Sequence, residues 1–216
     1  MMKTFPIMLD VRGRLAVVVG GGRVGLRKAV ALREAGADVR LVAKDIDPAA
    51  EGEGLTVIRS EYRPEHLAAA RLVLACTDDA ALNATIARDG RRIGAIVNVA
   101  DQPDDCDFFL PAVVRDGDVV VAVGTGGSAP ALAARLKVRL AAALPERIGE
   151  FAAILSQARE ALKARLGDTR RRGEIIKRLA DEATYELFLA RGPAAVHARL
   201  EQLIAEAAAQ RKDARE

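Results

Sequence analysis

The run Leu15-Ala16-Val17-Val18-Val19 passes without a break into Gly20-Gly21-Gly22-Arg23-Val24-Gly25 and then into a helix-like stretch from Leu26 to Ala35. Few folds accommodate that succession. A continuous β-branched run reads as a buried parallel strand, and it must end in a turn tight enough to reverse into a crossover helix. Gly20 allows that turn, and Gly22 has no side chain to hold a diphosphate off the backbone. Gly25 lets the helix approach the strand, and the first helical amides with their dipole can then hold an anion. No Lys-Ser or Lys-Thr pair follows, so the turn is not a mononucleotide P-loop.

Context separates this turn from a glycine-rich turn with a purely steric purpose. A second apolar stretch, Val39-Arg40-Leu41-Val42, follows Gly36 at the spacing of one βαβ unit, with Gly36 placed as a helix C′ residue. A dinucleotide site usually has Asp or Glu at the end of that second strand for the ribose 2′-hydroxyl. Here the chain has Ala43-Lys44-Asp45. Either Asp45 does that work a position or two late, or backbone holds the ribose; Lys44 keeps NADP open beside NAD.

The chain has 216 residues, half of them apolar and few aromatic, with no Trp and a formal charge of +3. Acids and bases interleave, so there is no basic stripe with stacking aromatics of the kind nucleic acid requires. Cys76 and Cys106 have no further Cys or His at metal-ligand spacing, which leaves two reduced thiols and no structural metal. The start, Met1 to Pro6, lacks the apolar core of a signal peptide, and no stretch approaches about 18 uncharged apolar residues. The expectation is a cytoplasmic protein with no membrane or nucleic-acid partner.

Leu55–Ile58, Leu72–Ala75 and Ala95–Val99 read as three more strands, and Ala80–Asp89 as a helix capped by Thr77-Asp78-Asp79. This alternation predicts an α/β fold, a Rossmann-like doubly wound parallel sheet, over residues 1–112. Beyond it, Arg115-Asp116-Gly117-Asp118 looks like a hairpin turn leading into Val119–Val123. Ser128 and Pro130 open a helix from about Ala129 to Leu144. Residues 146–216 read as a small helical domain, with Ile148, Phe151, Ile154, Leu155, Ala158 and Leu162 at helical spacing and a polar tail from Ala207 expected to fray.

Ligands of an open parallel sheet collect beyond the carboxyl ends of its strands. Three groups satisfy that rule: the glycine turn, Thr77-Asp78-Asp79, and Asn98-Val99-Ala100-Asp101. Asp101 directly follows an apolar strand, where partial burial would suit a general base; the alternative is a loop carboxylate that caps backbone amides. Thr125-Gly126-Gly127-Ser128 reads as a second anion cradle or as simple capping. His66 and His197 are isolated, and Arg170-Arg171-Arg172 reads as a solvated turn or a place for a polyacid.

Taken together, Phe5–Leu9, Gly20–Ala29, Ala75–Asp79, Val97–Asp101, Phe108–Pro111 and Gly126–Pro130 resemble the precorrin-2 dehydrogenase and sirohydrochlorin ferrochelatase family, the amino-terminal half of siroheme synthase. The match spans about Met1 to Pro145 and, more loosely, the helical remainder; without the methyltransferase half, the expectation is a stand-alone form. The resemblance implies NAD-dependent oxidation of precorrin-2 to sirohydrochlorin and, in some members, insertion of ferrous iron to give siroheme. Asp101 matches the family's essential aspartate, which takes a proton as hydride leaves. Arg23, Val24, Lys44 and Asp45 fall where members contact the dinucleotide, beside Gly20, Gly22, Gly25, Thr77 and Asp78. Asn98 and Thr125 to Ser128 fall on the substrate side, Thr125 where some relatives have a serine. The resemblance also implies a homodimer interlocked through about Val113 to Leu144, which makes residues 113–145 a dimerisation segment.

Two rivals use the same glycine turn. A regulatory nucleotide-sensing module needs no carboxylate at the fifth strand and usually keeps the acid after the second. A generic small dehydrogenase pairs its turn with Tyr-x-x-x-Lys, and neither Tyr62 nor Tyr185 has that lysine.

Overall fold

The computed structural model describes residues 4–213. The chain forms two compact units, one holding the chain up to Leu110 together with Gly124–Ala129, the other Pro111–Val123 together with the chain from Pro130 onward.

The first unit is an α/β Rossmann-like domain, as expected. Its strands β1 (Leu15–Gly21), β2 (Asp38–Ile46), β3 (Thr56–Arg59), β4 (Leu72–Ala75) and β5 (Ile96–Val99) form one sheet in the order β3-β2-β1-β4-β5. All four pairings are parallel. Helix α1 (Arg23–Glu34) connects β1 to β2 and α2 (Ala80–Arg92) connects β4 to β5. Strand order reverses between β1 and β4, which puts the glycine turn at the switch point where such sheets take ligands.

Alternation along the strands divides the core in two. Ala16, Val18, Leu41, Leu72 and Leu74 pack with Leu26, Ala29 and Leu32 of α1. Val17, Val19, Val73, Ala75, Val97 and Val99 pack with Ile86 and Ala87 of α2. Asp79 caps α2, its carboxylate accepting from the amides of Ala81 (2.9 Å) and Leu82 (3.0 Å).

In the second unit β6 (Ala112–Asp116) and β7 (Val119–Val123) form the expected antiparallel hairpin, closed at Asp116 and Val119 around Gly117-Asp118 with Gly117 at φ +54°. Helices α3 (Pro130–Ala143), α4 (Ile148–Arg165), α5 (Thr169–Leu179), α6 (Glu182–Arg191) and α7 (Pro193–Asp213) follow. Phe151, Leu162, Leu179, Phe188 and Leu203 form the helical core. Gly149 of α4 donates its amide to the Asp116 carboxylate at 2.9 Å, and a side chain there would strike Asp116. The polar tail expected to fray from Ala207 is helical through Asp213, and residues 214–216 lie outside the described residues. Among the described residues no helix is long and apolar enough to cross a membrane.

Candidate functional site

Gly20 has φ +121°, and a side chain there would strike the Cys76 carbonyl at the end of β4. Gly25, in the first turn of α1, would drive a side chain into the Gly20 carbonyl. These two glycines hold the turn against β4 and α1 against the turn. Gly22 differs: it is exposed, has φ −76°, and a side chain there would meet nothing within 4 Å. It occupies the N-cap of α1 without supplying a side-chain cap, so the first helical amides, at Arg23 and Val24, face open space. That is the geometry a diphosphate requires.

Beyond the expected end of the second strand, β2 continues to Ile46, pairing with Gly21 across a bulge. Lys44 and Asp45 therefore lie within the strand and are exposed. Asp47 follows directly, its carboxylate accepting from the Ala49 amide at 3.0 Å. Lys44 Nζ is 2.6 Å from Glu61 Oε1; this contact raises the lysine and lowers the glutamate from their ordinary pKa values. At the end of β4, buried Asn83 holds both backbone groups of Thr77: its Oδ1 accepts from the Thr77 amide (3.1 Å) and its Nδ2 donates to the Thr77 carbonyl (2.9 Å). The Thr77 hydroxyl turns inward to the same Oδ1 at 2.7 Å, while Asp78 is exposed.

Asp101 follows β5 in a left-handed conformation, φ +60°. The partial burial expected of it is not found: Asp101 is exposed, directly after Ala100, whose amide donates to the Ala75 carbonyl at the end of β4 at 2.8 Å. Non-glycine residues with positive φ are uncommon, and Asp tolerates the region better than most. The loop around it is tightly pinned. Val97 and Asp107 exchange bonds, amide to carbonyl at 2.7 Å and amide to carboxylate at 2.8 Å. Cys106 Sγ lies 3.2 Å from both the Val99 amide and the Val99 carbonyl, and 3.3 Å from the Gln102 carbonyl. Asp101 is thus displayed on a closed loop, and its carboxylate makes no hydrogen bond or ion pair among the described residues.

The second glycine loop comes to the same place. A side chain on Gly127 (φ +80°) would approach the Phe109 ring to 3.2 Å and Pro103 to 3.7 Å, so Thr125–Ser128 packs beside the loop of Asp101. Ser128 does not act as the expected helix cap; its hydroxyl donates back to the Thr125 carbonyl at 2.6 Å, and Thr125 Oγ1 accepts from the Ala129 amide at 3.2 Å.

Against known proteins, a family model described as NAD(P)-binding matches residues 7–112. Siroheme synthase of Methylobacillus flagellatus is 38% identical over 176 residues, covering 79% of this chain and 38% of the relative. Siroheme synthase of Chromobacterium violaceum is 35% identical over 217 residues, 99% of this chain and 46% of the relative. The solved structure of SirC, precorrin-2 dehydrogenase, superposes with a TM-score of 0.74 at 26% identity, covering 92% of this chain and all of that one. The chain belongs to the precorrin-2 dehydrogenase and siroheme synthase family. It spans roughly two-fifths of the length of the curated relatives it matches.

Within this family member the sequence reading passed over three residues that build the site. Asn83 shapes the Thr77 loop and Cys106 closes the loop of Asp101. The third is Lys28, whose Nζ donates to Asn98 Oδ1 at 2.8 Å across 70 residues of chain. Asn98 is buried, and its Nδ2 donates to the Phe108 carbonyl at 2.9 Å. Burial pushes the Cys76 thiol up, the Lys28 ammonium beside it pulls it back, and Asp101 is close enough to add to the rise. Lys28, Cys76, Asn98 and Asp101 therefore share one corner of the sheet's carboxyl edge. Lys28 was detectable: with Gly25, Ala29 and Leu32 it lies on the face of α1 that packs inward.

Both tyrosine hydroxyls are committed elsewhere. Tyr62 donates to Asp89 Oδ2 at 3.0 Å, and Tyr185 donates to the Glu146 carbonyl. Burial raises the pKa of each. His66 Nδ1 accepts from the Arg63 amide at 3.1 Å, a local turn contact. Among the described residues no three His, Cys, Asp or Glu side chains group as metal ligands.

Proposed function

We propose that this chain oxidises precorrin-2 to sirohydrochlorin with NAD. What supports the proposal is an open glycine N-cap at the switch point and a displayed, unpaired aspartate after β5 at the same carboxyl edge of one sheet, in a chain that resembles SirC over 92% of its length. The dinucleotide fits: Gly22 leaves the α1 amides free for the diphosphate, Gly20 and Gly25 hold the turn, and Arg23, Val24, Asp45, Thr77 and Asp78 border it. When bound, the nicotinamide accepts the hydride. Asp101 takes the accompanying proton from the macrocycle, and Asn98 with Thr125, Gly126, Gly127 and Ser128 lines the substrate side. The Lys44–Glu61 pair supports NAD over NADP, since a cation already matched by a carboxylate attracts a 2′-phosphate weakly.

Anaerobic incubation of the purified protein with precorrin-2 and NAD is expected to give the absorption of sirohydrochlorin together with NADH, and more slowly with NADP. No spectral change with either coenzyme overturns the proposal and favours the nucleotide-sensing alternative. Ferrous iron is a further substrate in this reading: adding it is expected to yield siroheme, with Asp101 receiving pyrrole protons as the metal enters the macrocycle, whose nitrogens supply the ligands.

A homodimer built through residues 113–145 belongs to the same proposal. Helix α3 buries only Ala133 while Leu132 (48%), Val138 (67%) and Leu140 (39%) are exposed, an apolar surface that a second copy would cover. Val138→Glu is expected to halve the mass measured by light scattering; an unchanged mass removes α3 from the interface.

A further inference from the structure

We infer that Lys28 is a substrate-binding residue, its ammonium held by Asn98 to receive a carboxylate of the macrocycle. The inference rests on the proposed tetrapyrrole substrate. An ammonium carries three N–H donors. One goes to Asn98 Oδ1 at 2.8 Å, and among the described residues no carboxylate pairs with the others. Asn98 cannot turn to release it, because its Nδ2 is fixed on the Phe108 carbonyl and within 3.4 Å of Cys106 Sγ. The amide oxygen is thereby kept toward the lysine.

A half-buried cation without a counter-ion is unfavourable unless something balances it. Among the exposed lysines Lys44 pairs with Glu61 and Lys163 with Glu160, while Lys137 and Lys177 stand in solvent that can solvate them. Lys28 instead sits inward, beside the Cys76 thiol and in the corner shared with Asp101. A ligand that brings its own carboxylates supplies the missing charge, and a charge-assisted contact there fixes the macrocycle's orientation toward Asp101.

The test is fluorescence titration of the full chain with an octacarboxylate porphyrin, in parallel with titrations by NAD and by NADH. Lys28→Met is expected to raise the porphyrin Kd roughly tenfold or more, with both coenzyme affinities within twofold of the wild type. Lys28→Arg is expected to restore porphyrin binding. Lys28→Gln removes the charge but keeps a donor for Asn98, so it reproduces the loss even where Lys28→Met unfolds the chain. Unchanged porphyrin affinity in folded Lys28→Met or Lys28→Gln overturns the inference. So does a change in the NAD to NADH affinity ratio with porphyrin binding intact, which would turn the ammonium toward the coenzyme ring. A wild-type chain that binds NAD but no porphyrin sinks the tetrapyrrole reading itself, and this inference with it.

Discussion

Asp101→Asn is expected to lower kcat for precorrin-2 oxidation by about a hundred- to ten-thousandfold, the usual contribution of a positioned proton acceptor. Coenzyme affinity and Tm should stay at wild-type values. The substitution suits the position, because Asn enters the left-handed region as readily as Asp does, and φ at this residue is +60°. It also leaves untouched the contacts that hold the loop, which run through Asp107, Cys106 and Val97 rather than through the Asp101 carboxylate. The change therefore removes a proton acceptor and little else. Single-turnover measurements with NAD in excess separate the chemical step from binding. A variant that reduces NAD at the wild-type rate would show that the proton leaves by another route.

The sheet was legible because its central strands β1 and β4 are buried on both faces. Leu72–Ala75 has the expected bounds, β5 begins one residue later than expected, and β3 is shifted by one residue at both ends. The end of β2 was not legible. Its last residues, Lys44 and Asp45, are exposed and polar, so hydrophobic pattern stops at Val42 while backbone pairing carries the strand to Ile46. Pattern reports burial, whereas pairing needs only amides and carbonyls. The same gap hid the surroundings of Asp101. Its place after β5 could be read from sequence, but its exposure comes from a loop closed by Cys106 and Asp107, through contacts that no periodicity encodes. A thiol that organises a turn looks in sequence like any other reduced cysteine.

Lys28 shows the intermediate case. Its helical phase was readable, since a lysine in register with Gly25, Ala29 and Leu32 breaks an otherwise inward-facing stripe. Its partner was not, because Asn98 lies two strands away in the sheet from β1, the strand that α1 follows. A local rule broken without local compensation marks a site where function is the simplest explanation.

The glycine turn gives the second large effect, and its two glycines should respond in opposite ways. Gly25→Ala is expected to destabilise the chain by about 3 kcal/mol, because the new methyl group meets the Gly20 carbonyl, backbone that cannot rotate aside. For a chain of this size that is a fall in Tm of roughly 6–12 °C. Gly22→Asp should leave Tm unchanged or slightly higher: its φ of −76° suits any residue, nothing lies within 4 Å, and a carboxylate at an uncapped N-cap serves the free helical amides. Those amides are the ones proposed for the diphosphate, so the introduced charge both occupies and repels. A like charge about 4 Å away at an effective dielectric near 20 opposes binding by about 4 kcal/mol, and calorimetry should find the NAD Kd raised at least about a hundredfold. Paired this way, the variants separate a turn that exists for packing from one that exists for a ligand. Gly22→Asp protein that binds NAD with wild-type affinity would place the diphosphate elsewhere, however well the sheet around it is formed.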